Sequence, residues 1–149
     1  MTPAIVRPDG WSLPLLVHVA GAMLLVAALI VALAVTAGAL RRGDDAAVLT
    51  RLGFRSLLLG VLPAYVVMRA GAEWIASEEA VGEPAWIGIG YGAADGGLLL
   101  AIVATVLAWR AARRGAAGPG GSGRAVLVLS LLLILAYAVA IWAMTAKPS

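Results

Sequence analysis

The chain has 149 residues, 62% of them hydrophobic and 13% charged, with a mean hydropathy of +0.99. A soluble domain carries about a quarter charged residues, so this composition belongs to a membrane protein. The absence of cysteine excludes disulfides, thiolate metal sites and thiol catalysis, and the net charge of +3 sits beside apolar runs, which argues against nucleic acid as a partner.

The expected fold is all-α: a polytopic bundle of four transmembrane helices forming a single domain over residues 1–149. A bilayer core about 30 Å thick takes roughly 20 apolar residues as helix. Residues 13–40 meet this without a fixed charge, and the run is too long for a signal-peptide core. Residues 44–55 read as a short interfacial helix, with Asp44 and Asp45 at the N-terminus, where the helix dipole favours them. The second span, 56–77, carries Arg69 and Glu73, and Pro63 is expected to kink it and free the carbonyl of Leu59. The third span, 85–109, has Asp95 as its only charge. Residues 115–123 (GAAGPGGSG) read as a flexible linker, and the fourth span, 125–146, is uncharged.

Orientation follows from the basic residues, which are all arginine save Lys147. Arg41, Arg42, Arg51 and Arg55 precede the second span, and Arg110, Arg113, Arg114 and Arg124 flank the third loop. The loop between the second and third spans holds Glu78, Glu79 and Glu83 with no base, and the tails hold only Arg7 and Lys147. Lys and Arg in short loops face the cytoplasm, so both termini and the glutamate loop are expected outside. Trp11, Trp74, Trp86 and Trp142 fall near the outer ends and Trp109 near an inner one, the positions of an aromatic belt. The arginine bias, with abundant Ala, Gly and Val, is that of a GC-rich bacterial coding sequence. The expected location is therefore the bacterial cytoplasmic (inner) membrane.

The stretch IGIGYGAADGG at residues 87–97 poses a choice. A dinucleotide fingerprint needs a glycine where Asp95 stands and a strand in front of it. Gly88, Gly92 and Gly96 instead recur every four residues, which predicts a helix face that packs closely on a neighbour.

Ionisable groups inside a span normally face the bundle interior and find a partner. Counted along the helices, Asp95 and Arg69 both lie about 12–13 Å below the outer ends, so they are expected to form a buried pair. Glu73 shares a helix face with Arg69, and Tyr137 and His18 come to comparable heights. Tyr65 extends the Arg69 face inward, and Tyr91 extends the Asp95 face outward. These residues outline an outward-facing polar pocket of Arg69, Asp95, Glu73, His18 and Tyr137.

The run LVHVAGAMLLVAALI around His18 resembles the first span of uncharacterised four-helix bacterial membrane proteins. It is distantly similar to the copper resistance protein D and membrane protoporphyrinogen oxidase families, whose histidine at this place is implicated in metal or haem handling. The tryptophan and paired glycines of those families are absent here, with Met23 and Ala27 in that region. The resemblance implies a helical membrane fold and makes His18 the candidate ligand for haem or copper, the metal itself being undetermined.

Three functions are compatible with these residues. The first is a non-catalytic accessory or interaction subunit, embedded in the bilayer and joined to copies of itself or to a larger membrane complex. The second is a small proton-coupled carrier or channel component using Arg69, Asp95 and Glu73. The third is a haem- or copper-handling redox protein using His18.

Overall fold

A computed structural model describes residues 13–41, 45–79, 85–114 and 120–146. Expectations resting on Arg7, Trp11, Arg42, Asp44, Glu83, residues 115–119 and Lys147 lie outside the described residues, as do those on the side chains of Glu78, Glu79 and Trp86. The described chain forms α1 (Leu13–Arg41), α2 (Ala46–Arg55), α3 (Leu62–Glu79), α4 (Ala85–Arg113) and α5 (Gly120–Ala146), with a π-helical turn over Ser56–Val61 between α2 and α3. Among the described residues there is no strand. Among the described residues, four stretches are long and apolar enough to cross a membrane: Leu13–Arg41, Ala46–Ser77, Gly90–Arg113 and Gly120–Ala143. Hydrocarbon offers no hydrogen bonds to a backbone, so such sequences close their N–H and C=O groups within helices.

Two boundaries differ from the sequence reading. The expected interfacial helix is not separate: α2, the π turn and α3 form one continuous helix from Ala46. Pro63 has no N–H to continue the ladder, and the helix widens just before it instead of simply kinking. The Leu62 N–H donates to the Leu57 carbonyl, five residues back. The other difference is α5, which begins at Gly120, inside the expected linker, with Gly120 at φ 53° in the left-handed region.

Burial follows a seam spaced alternately three and four residues apart. On α4 the seam positions are Gly90, Ala94, Gly97, Ala101, Ala104, Ala108 and Ala111, with Thr105 buried beside them. On α5 they are Gly123, Val126, Ser130, Leu133, Tyr137, Ala140 and Ala143. A 3.5-residue repeat keeps one face of a helix turned to its partner, as in left-handed bundles. Ala46, Thr50, Gly53, Leu57, Val61, Ala64, Met68 and Gly71 continue the pattern through α2 and α3. That series takes two four-residue steps in succession, from Gly53 to Leu57 to Val61. The extra residue is absorbed by the π turn, so the same face stays on α1 past Pro63.

The α1–α3 contact is the closest in the bundle. A Cβ built on Gly21 would collide with the backbone N of Met68, and one on Gly71 would lie 2.5 Å from the backbone N of His18. A Cβ on Gly60 would lie 2.8 Å from that of Ala28, and Ser56 Oγ donates to the Ala28 carbonyl at 2.8 Å. Close backbone approach and side-chain hydrogen bonds are what drive helix association in lipid.

The predicted glycine face is not this seam. Gly88, Gly92 and Gly96 are exposed, and a Cβ built on any of them meets no described atom within 4 Å. Four-residue spacing alone drifts across the helix surface, and α4 buries its seven-position small-residue seam in preference.

Around the bundle, α1 packs on α3 and α5, while α4 packs on α5 and on α2. Contact between α3 and α4 is slight. The bundle is therefore tight at the end bearing Arg51, Arg55 and Arg113, and opens between α3 and α4 at the end bearing Glu79 and Ala85.

Candidate functional site

The opening between α3 and α4 holds the charged residues of the spans. Arg69 and Glu73 are one turn apart on α3, and Tyr91 and Asp95 are one turn apart on α4. Arg69 Nη2 lies 3.1 Å from Glu73 Oε1 and 3.6 Å from Asp95 Oδ1. Both contacts are ion pairs, the first the closer, and the second is too long for a hydrogen bond. The guanidinium carbon also stands 4.3 Å from the centroid of the Tyr91 ring, a cation–π distance. The Tyr65 hydroxyl faces the Asp95 carboxylate, and the Tyr91 hydroxyl faces that of Glu73.

Exposure overturns one expectation. The Arg69 side chain is 28% exposed, that of Glu73 55% and that of Asp95 63%. Arg69 and Asp95 meet, yet the pair lies at the mouth of the opening and is not buried in the bundle. The carboxylate point for Asp95 sits about 15 Å along α4 from its start at Ala85, at one rise of 1.5 Å per residue. One guanidinium faces two carboxylates, a formal charge of −1 for the cluster.

Two expected members sit elsewhere. Tyr137 is 5% exposed and lies behind α4, its hydroxyl 2.6 Å from where a Cβ on Gly97 would be. It forms the floor beneath the charges, beside Tyr65. His18 is not in the opening: it lies on the α1-facing side of α3, whereas Arg69 points to α4. Its Nδ1 is 2.9 Å from the Met68 carbonyl, which makes Nδ1 the donor. The polar pocket therefore consists of Arg69, Glu73 and Asp95, with Tyr91 in place of His18. Among the described residues no group of three or more His, Cys, Asp or Glu side chains converges.

The sequence reading missed Gly21 and Gly71. Each stands three residues after the residue that its counterpart contacts: Gly71 meets His18, and Gly21 meets Met68. The signal was in the sequence as a small residue three positions after His18 on one helix and after Met68 on the other. Spacing within one helix does not reveal the partner.

What the arrangement can do is bind. It presents two carboxylates and two phenol hydroxyls to a cation or hydrogen-bond donor approaching from the side of the bundle. No family model matches the chain, and neither does any curated protein or solved structure.

Proposed function

We propose that the chain is a non-catalytic interaction subunit of a membrane assembly, using the α3–α4 opening to receive a helix from another subunit. The observation that carries this reading is the 63% exposure of Asp95, a carboxylate within an apolar span. A charge facing lipid costs about 2.5–3.5 kcal/mol on insertion scales, and such residues normally face protein or water. Gly88, Gly92 and Gly96 line the same exposed side of α4 and give a second helix room to approach. The surplus negative charge fits a partner helix that offers a cation or a hydrogen-bond donor at that height.

The surrounding membrane is the bacterial cytoplasmic membrane in this reading, with the arginine-rich end inside and both termini outside. A cysteine at Gly82, but not one at Gly118, is then labelled by an impermeant thiol reagent on intact cells; the reverse pattern inverts the protein. The partner is tested by a photo-crosslinking residue at Gly92, with one at Val139, which is 54% exposed, as the comparison. A protein adduct is expected at Gly92 only, and lost on Asp95→Leu. An adduct of twice the chain's mass identifies a second copy as the occupant. Lipid adducts alone at both positions would refute the reading.

A second reading draws on the charge imbalance. Two carboxylates sharing one guanidinium favour a cation or proton site in a small carrier. Cation-dependent protection of the Gly92 position from crosslinking, without a protein adduct, would favour it.

A further inference from the structure

The opposite end of the bundle carries a second, unrelated set of charges. Arg51, Phe54 and Arg55 on α2 and Trp109, Ala112 and Arg113 on α4 line an open groove of about 380 Å³. The heptad geometry explains the convergence. With Thr50 and Gly53 of α2 turned into the seam, Arg51 and Arg55 project together one turn apart beside it. On α4, Ala108 and Ala111 are buried, which leaves Trp109 and Arg113 stacked one turn apart on the facing rim.

Arg113 is held in place by its neighbour. Its guanidinium carbon lies 4.2 Å from the Trp109 ring centroid, so the ring orients the charge without neutralising it. No carboxylate lines the groove, and among the described residues none of its three arginines is in an ion pair. Three guanidiniums that face one concavity repel each other unless an anion lies between them. Their planar forks match the oxygens of a phosphate.

The rest of the groove specifies what carries the phosphate. Phe54 and Trp109 give it aromatic walls. One turn deeper into the spans, Leu58 beyond Arg55 and Val106 beyond Trp109 are exposed at 40% and 44%. A basic rim that runs directly into exposed aliphatic side chains suits a headgroup joined to acyl chains, and a free phosphate has no use for the apolar part. We infer that this groove holds the headgroup phosphate of an anionic phospholipid, with the acyl chains along Leu58 and Val106.

The test uses the full chain, purified in detergent and stripped of lipid. Phosphatidylglycerol, phosphatidylcholine and inorganic phosphate are titrated separately, and bound species are read by native mass spectrometry. A one-to-one phosphatidylglycerol adduct is expected, with phosphatidylcholine retained far more weakly. Arg51→Gln with Arg113→Gln should weaken the phosphatidylglycerol adduct roughly thirtyfold, at about fivefold per basic residue near an anionic surface. Arg110→Gln with Arg124→Gln makes the same change in net charge outside the groove and should shift binding by less than about twofold. Should the first pair fail to fold, Arg51→Lys with Arg113→Lys keeps the charge and is expected to lose roughly threefold through the lost forked contacts. Equal losses in the groove and comparison pairs would overturn the site in favour of general surface charge. Equal retention of phosphatidylcholine, no loss in the lysine pair, or displacement of phosphatidylglycerol by equimolar inorganic phosphate would overturn it as well.

Discussion

Replacing Gly71 with alanine asks the α1–α3 seam to accept a carbon for which it has no space. The new Cβ would lie 2.5 Å from the backbone N of His18, 2.7 Å from its Cα and 2.9 Å from its Cβ. Two of these three atoms are backbone, so no rotamer change relieves the contact. Carbon atoms rest about 3.5–4.0 Å apart, so α1 must retreat by about 1 Å. Overpacking of this kind costs about 1–3 kcal/mol. The retreat also stretches the His18 Nδ1–Met68 carbonyl hydrogen bond, now 2.9 Å, out of range, at a further cost of about 0.5–1.5 kcal/mol. Alanine's better helix propensity returns about 1 kcal/mol. The net expectation is a loss of about 0.5–3.5 kcal/mol. Reversible denaturation of the full chain in mixed micelles with rising sodium dodecyl sulfate, followed by tryptophan fluorescence, measures it. Gly92→Ala, which meets no described atom, should leave stability unchanged or raise it by up to about 1 kcal/mol. Adding Gly21→Ala to Gly71→Ala should cost less than the sum of the single changes, because the helices have already separated. If Gly71→Ala is as stable as Gly92→Ala, the seam does not exist as described.

Ser130 is fully buried on the α5 seam, and its Oγ has no hydrogen-bond partner among the described residues. Ser130→Ala should therefore raise the thermal midpoint, by about 1 kcal/mol in stability; a fall would reveal a partner for the hydroxyl. A double-mutant cycle on Arg69→Met and Asp95→Leu in detergent should give a coupling of only about 0–1 kcal/mol, as for an exposed pair. A coupling of about 3–5 kcal/mol would be that of a buried pair, and would place Asp95 inside the isolated chain.

The four long apolar stretches were legible because length and hydropathy depend on composition alone, and a helix is the form such a stretch adopts in hydrocarbon. The start of the second span was not. Asp45, Arg51 and Arg55 made residues 44–55 look like a separate interfacial helix outside the span, although the helix needs only its buried stripe of Ala46, Thr50 and Gly53 to stay on α1. Which face each helix buries was also hidden. In a soluble helix polar residues mark the outer face, but here Leu24, Val66, Leu99 and Val139 are exposed and as apolar as the core. Small residues remained as the only guide, and α4 has two sets of them. The longer set, alternating by three and four from Gly90 to Ala111, is the buried one; the shorter, Gly88 to Gly96, stays exposed. Depth counting brought Arg69 and Asp95 together because rise per residue is fixed in any helix. It could not place His18, since height along the bundle does not say which side of α3 a residue of α1 meets.

The two sites differ in what the fold asks of them, and this difference separates their roles. The bundle consists of two close pairs, α1 with α3 and α4 with α5, joined by α1 against α5 and by α2 against α4. At the arginine-rich end the α2–α4 contact closes the ring, so the groove there lies on a packed surface that a headgroup can occupy without moving a helix. At the other end α3 and α4 separate, and Arg69 reaches across the gap to Asp95 and to the Tyr91 ring. A gap flanked by half-exposed carboxylates is poorly matched to lipid, which supports the proposed partner helix. An incoming donor can take the Asp95 carboxylate while Arg69 keeps that of Glu73, which is on its own helix at 3.1 Å. Under the two proposals above, the α3–α4 opening is the end of the molecule that changes partners, and the packed arginine groove is the end that holds lipid.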